Sequence, residues 1–154
     1  MIKNPKNEAP LTGVGGIFSS KKKEDKQKWY LFDAKEQILG RLAVTIANTL
    51  RGKNKTVFSR EKDCGDFAVV INAKEIRVTG KKLTQKMYYR HSGYPGALKT
   101  QTLKEKLSKK PEDVIRHAVL GMLPKNKLRT RWLKRLYIFP DEKNPYEDKV
   151  RKNA

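Results

Sequence analysis

The chain holds a single cysteine, Cys64, and only two histidines, His91 and His117, among 154 residues. One thiol excludes an intramolecular disulfide framework, and with so few companions a structural zinc site is hard to assemble, so neither metal nor cofactor is expected. Long apolar runs are missing too. No stretch approaches the roughly 20 consecutive apolar residues of a spanning helix, which argues against a membrane partner. The first residues offer no apolar core of signal-peptide length. They are rich in Lys, free of Arg, and carry Glu8, Glu24 and Asp25, a poor fit to a mitochondrial transit peptide. A cytoplasmic location is the expectation. Apolar residues reach only 37%, which is low for a one-domain chain expected to bury roughly 68–70% of its unfolded surface. This implies a modest core surrounded by arms and loops that order against a partner.

Acidic residues are the other shortage: 16 Asp and Glu face 36 Lys and Arg, leaving a formal charge of +20. Self-repulsion on this scale works against a compact state. Its simplest context is one in which phosphates neutralise the protein and counterion release supplies most of the affinity. Nucleic acid is the partner this implies, in preference to a membrane or a small-molecule substrate.

Residues 1–28 read as a flexible basic extension, because Pro5, Pro10, Gly13-Val14-Gly15-Gly16 and Lys21-Lys22-Lys23 leave no sustained apolar period. Those glycines match neither common phosphate-loop spacing, and no strand precedes them. A domain over 29–140 follows, then a charged tail over 141–154. Trp29-Tyr30-Leu31-Phe32 suits a buried strand. Leu39, Leu42, Ala43, Ile46, Ala47 and Leu50 fall on one helical face, with Gly52 as the stop. Phe67 to Asn72 reads as a central strand and Ile76-Arg77-Val78 as another. Thr102 and Glu105 have the spacing of a capping box, opening a short helix with Leu103 and Leu107 inward. Pro111 starts a helix whose apolar face is Val114, Ile115, Ala118, Val119, Met122 and Leu123. A further helix turns Leu128, Trp132, Leu133 and Leu136 inward, and Tyr137-Ile138-Phe139 closes as a strand. Alternating strands and helices predict an α/β sandwich with a small, mainly parallel four-stranded sheet, plus extended basic arms and loops.

Three cation clusters carry the candidate chemistry. Lys125, Lys127, Arg129, Arg131, Lys134 and Arg135 interleave with the apolar face of the last helix and have no acidic partners at i+3 or i+4. Phosphate contact explains them better than a merely solvated face does. Arg51, Lys53, Lys55 and Arg60 lie where a helix C-terminus meets a loop. The helix dipole accounts for Arg51, and Gly52 would let the backbone approach RNA closely. Arg41 falls off the apolar face of the same helix and joins the candidates. Lys81, Lys82, Lys86, Tyr88, Tyr89, Arg90, His91, Tyr94 and Lys99 alternate cations with aromatics, a pattern suited to stacking on unpaired bases of folded RNA. Tyr88 and Tyr89 are equally readable as core residues.

An enzyme is the competing class. Asp63 and Asp66 bracket Cys64-Gly65, and such a pair could hold magnesium for nucleic-acid processing. A turn at Gly65 accounts for the pair locally, no general-base motif accompanies it, and Cys64 has no adjacent cation to depress its pKa. No catalytic residue is expected. A free RNA chaperone or translational regulator is a third reading.

The residues also carry a resemblance. In order, Trp29-Tyr30-Leu31-Phe32-Asp33-Ala34, Leu39-Gly40-Arg41-Leu42-Ala43, Leu50-Arg51-Gly52-Lys53, Gly65-Asp66, Ile71-Asn72-Ala73, Val78-Thr79-Gly80-Lys81, Tyr88-Tyr89 and Gly121-Met122-Leu123-Pro124-Lys125 appear. This ordered set resembles the bacterial large-subunit ribosomal protein L-thirteen family over about residues 29–140. The resemblance implies a three-layer α/β fold and a structural role in the large subunit. It also implies binding to large-subunit (23S-type) ribosomal RNA early in assembly, beside neighbouring large-subunit proteins, in a bacterial or an organellar ribosome. Arg129 stands where the family usually has glycine, Arg90 and Tyr94 where histidines are common, and Asn144-Pro145-Tyr146 replaces a histidine-containing tail. Residues 1–28 exceed the family's short N-terminal lead.

Overall fold

In a computed structural model, residues 27–151 are described, so most of the expected 1–28 extension lies outside the described residues. The elements in chain order are β1 (Trp29–Asp33), α1 (Leu39–Arg51), β2 (Phe67–Ile71), a 3-10 turn (Ala73–Glu75), α2 (Lys82–Gln85), β3 (Met87–His91) and β4 (Leu98–Thr102). Then come α3 (Leu103–Lys109), α4 (Pro111–Met122), α5 (Leu128–Lys134), β5 (Leu136–Ile138) and α6 (Glu147–Arg151).

The sheet is built around β2. Its run Ala68–Ile71 is buried throughout, and both neighbours pair with it in parallel, in the order β1-β2-β5. Side chains alternate across a strand, so one face of β2 presents Ala68 and Val70 and the other Phe67, Val69 and Ile71. The first face packs with Leu42, Ile46, Leu50, Val114, Ile115 and Val119 of α1 and α4. All six residues of the expected α1 face are buried. Each large side chain buried in this way contributes about 1.5–3 kcal/mol. The second face is aromatic. Trp29 stacks on Phe67, its register partner, at 4.2 Å and 6°, and Tyr146 from the C-terminal segment lies 4.5 Å from Tyr137. That segment, ending in α6, makes the third layer of the α/β fold.

Several expectations are corrected. β1 forms, but as an edge strand, leaving Tyr30 and Leu31 41% and 45% exposed. The strand expected at Ile76–Val78 is reduced to one parallel bridge, Ile38 to Arg77. Ile38 is also the residue from which α1 begins, so the pairing ends in a single rung, and the parallel sheet has three strands rather than four. Met122, expected inward, is exposed, because α4 ends there and the extended Leu123 enters the core instead. Leu136, expected on a helix, opens β5. The region 87–102, read only as a basic stretch, is an antiparallel hairpin, β3 with β4. Thr102 caps α3 as expected, accepting from the Glu105 N–H at 3.3 Å.

Candidate nucleic-acid interface

The loop between α1 and β2 is tied down at both ends by carboxylates. Asp66, 3% exposed, accepts from Lys55 Nζ at 2.6 Å and from the Lys28 backbone N–H at 2.8 Å. Asp63 accepts from Trp132 Nε1 at 3.0 Å and forms an ion pair with Arg135. Arg135 also donates to the Gly65 carbonyl at 2.8 Å. Loop, α5 and β5 are thereby locked together. The loop also presses on the end of α1, where a Cβ built on Gly65 would stand 1.8 Å from the Leu50 carbonyl oxygen. Gly52 adopts the left-handed φ of 72°, and a Cβ there would stand 2.4 Å from the Cys64 carbonyl oxygen. The room that Gly52 provides is filled by the chain itself and not by an outside backbone, which corrects the expectation of a close approach there.

These contacts also correct two candidate cations. Lys55 and Arg135, expected to stand open, have side chains only 12% exposed and are occupied by Asp66 and Asp63. Two more are partly withdrawn. Arg51 lies half-buried with its guanidinium 5.7 Å from the Phe58 ring centroid. Arg129, the long side chain in place of a glycine, folds back to donate to the Leu120 carbonyl. The same carboxylates, weighed from sequence as a magnesium pair and set aside, each face a cation of the protein.

Around this clamp the remaining candidates stand exposed: Arg41, Lys53, Arg60, Lys125, Lys127, Arg131 and Lys134. On α5 the division is sharp. Trp132 is 3% exposed and Leu128 and Leu133 are half-buried, while Arg131 and Lys134 face solvent. The helical period alone separates a packing face from a cationic one.

A second cationic region is the hairpin with α2. Lys81, Lys82, Lys86, Arg90, His91 and Lys99 are all exposed. Arg90 sits opposite Lys99 in the ladder, on the face it shares with Tyr88, and Tyr89 sits opposite Thr100 on the other face. Tyr88, read from sequence either as a stacking candidate or as a core residue, turns inward and is half-buried, and burial raises its phenol pKa. The open ring is Tyr89, 68% exposed, with Tyr94 at 76% near the hairpin tip. The alternation of β3 decides which tyrosine is available, and that alternation could have been read once the hairpin was recognised. At the far end of the sheet, Asp33 accepts from the Lys35 N–H and from Asn72 Nδ2, both at 2.9 Å. The Lys35 bond first, then Asn72, holds the Asp33 carboxyl below its ordinary value of 3.8. Lys106 and His117, absent from the sequence candidates, join the hairpin group through contacts to the Tyr88 ring.

This arrangement presents exposed cations in two zones, one on a clamped loop-helix unit and one on a projecting hairpin. Among the described residues no helix is long and apolar enough to cross a membrane. The chain is similar to proteins called large ribosomal subunit protein uL13. The one from Geobacter sulfurreducens is 50% identical over 83% of this chain and 90% of its own length. The one from Aquifex aeolicus is 54% identical over 82% and 88%, and that from Pelobacter propionicus 52% identical over 79% and 86%. The profile of the family described as ribosomal protein L13 matches residues 27–145, nearly the whole of the described fold including both cationic zones, and the chain belongs to that family.

Proposed function

We infer that this chain is a structural, non-enzymatic constituent of the large ribosomal subunit that binds large-subunit ribosomal RNA through its exposed cations. Its place is the ribosome, beside neighbouring large-subunit proteins, and it acts early in assembly, when RNA segments are still being brought together. The observation that carries the reading is the sorting of charge. In a chain of net charge +20, Asp66 and Asp63 of the cationic loop are paired internally with Lys55 and Arg135, while Arg131, Lys134, Arg90 and Lys99 remain exposed. Exposed cations that release counterions from RNA supply affinity and a steep salt dependence. The metal-enzyme reading loses its best residues, since Asp63 and Asp66 are each bonded to groups whose removal would loosen the fold.

Sedimentation tests the reading. The tagged chain should co-migrate stoichiometrically with large subunits and resist moderate salt. Migration at the top of the gradient under all conditions would favour a free chaperone or regulator. Magnesium-dependent cleavage of RNA by the purified chain, lost on Asp63→Asn with the fold intact, would favour the enzyme.

A further inference from the structure

Tyr88 gathers basic groups from three directions. Lys106 Nζ of α3 lies 4.2 Å from its ring centroid, and Lys86 Nζ, at the end of α2, lies 5.5 Å away. His117 of α4 meets the ring edge-on, at 5.4 Å between centroids and 76° between planes. Packing holds the three groups close to one another. Leu103 at the start of α3 is fully buried and its N–H donates to the Lys86 carbonyl at 2.9 Å, while Val114 and Ile115 root α4 in the core. The ring face offsets part of the crowding of two ammonium groups. It supplies no negative charge. Lys86 and His117 are exposed and Lys106 and Tyr88 half-buried, so the cluster is reachable from solvent.

The titratable groups agree with this picture. Burial first, and then Lys106 and Lys86, push the His117 imidazole below its ordinary 6.5. Tyr88 is pushed up by burial and keeps its phenolic proton as a donor. The groups that face His117 are Lys86 and Tyr88 from the hairpin side and Lys106 from α3. On its own helix Asp113 stands one turn before it and Gly121 one turn after. Two fixed positive charges and an imidazole that could accept a third form a receptor for an oxyanion.

We propose that Lys86, Lys106 and His117, arranged about the Tyr88 ring, form a phosphate site that grips the RNA backbone and takes up a proton on His117 as it does so. This rests on the RNA-binding reading above and adds a named subsite and a pH response to it. The sign follows from linkage. A phosphate beside His117 raises its pKa from the depressed free value, and the proton comes from solvent. Affinity therefore rises as pH falls through the bound-state value and levels off below the free-state value.

The test uses the full chain and large-subunit ribosomal RNA, titrated at fixed salt between about pH 5.5 and 7.5, the range in which histidine changes charge. Wild type should gain about tenfold in affinity per unit of His117 pKa difference as pH falls. His117→Gln should flatten the profile, and His117→Lys should bind tightly and without pH dependence. Lys106→Gln and Lys86→Gln should each weaken binding and lower the salt slope by about 0.7–0.9. Inorganic phosphate, followed by the His117 ring resonance, separates the sources. A resonance that responds to both phosphate and RNA supports the site as proposed, whereas a response to inorganic phosphate alone would assign it to a free anion and overturn the RNA contact. Superimposable pH profiles for wild type and His117→Gln would overturn the proposal while leaving RNA binding intact. Failure of the wild-type chain to bind the RNA at any pH would remove the broader reading as well.

Discussion

The clamped loop with α5 and the projecting hairpin look alike in sequence, as basic stretches with aromatics, yet they handle charge in opposite ways. In the first, Asp63 and Asp66 draw Arg135 and Lys55 inward to side-chain exposures of 12%, and Trp132 is anchored through its indole N–H. In the second, Arg90 and Lys99 face each other across the ladder and project into solvent. Like charges directly opposite each other in a sheet are destabilising. A cation's role therefore depends on whether a carboxylate has been placed beneath it, and local composition does not reveal this.

The comparison can be broken most forcefully at the clamp. Asp66→Ala would strand Lys55 in a nearly buried position and free the Lys28 N–H, at an expected cost of about 3–5 kcal/mol. Trp132→Ala should cost a similar amount, about 3–5 kcal/mol, through the cavity it leaves. Urea unfolding of both variants checks this, and a loss under about 1 kcal/mol in either would show that the clamp does not hold the fold. Asp63→Ala sits one step lower, at about 1–3 kcal/mol, since it leaves the indole N–H and the half-buried Arg135 without their acceptor. The hairpin should behave in the reverse manner. Tyr89→Ala should leave unfolding unchanged and cost about 1–3 kcal/mol in RNA binding if its ring stacks on a base, whereas Tyr88→Ala should lower stability as well.

The smallest expected effect is at acid pH. Asp33 has a depressed folded-state pKa, so its contribution to stability is present above the ordinary 3.8 and is lost as pH falls through the folded value. Asp33→Asn should remove that portion of the acid sensitivity, read as a shallower loss of melting temperature below about pH 4.

Periodicity made much of the core legible. The α1 face was readable because Leu39, Leu42, Ala43, Ile46, Ala47 and Leu50 repeat at the helical spacing, and all six are buried. The start of α3 was readable from Thr102 and Glu105, and β2 from its apolar run. The clamp was hidden because its partners are distant in sequence: Asp63 meets Trp132 and Arg135 across 69 and 72 residues. Spacing between Asp63 and Asp66 admitted a shared ion only as the weaker reading beside a local turn, and each carboxylate answers a cation elsewhere in the chain. β1 was legible as a strand but not as an edge, since that depends on which neighbours the topology supplies. The choice between Tyr88 and Tyr89 needed the hairpin, whose alternation turns one ring inward and the other out.

The most direct test of the charge sorting is the salt dependence of RNA binding for Arg131→Ala and Lys99→Ala compared with Lys55→Gln, each confirmed as folded at the temperature used. The two exposed-cation variants should lower the slope of log affinity against log salt by about 0.7–0.9 each, and Lys55→Gln should leave the slope unchanged while lowering stability. An unchanged slope in the first two with a reduced slope in Lys55→Gln would contradict the charge sorting.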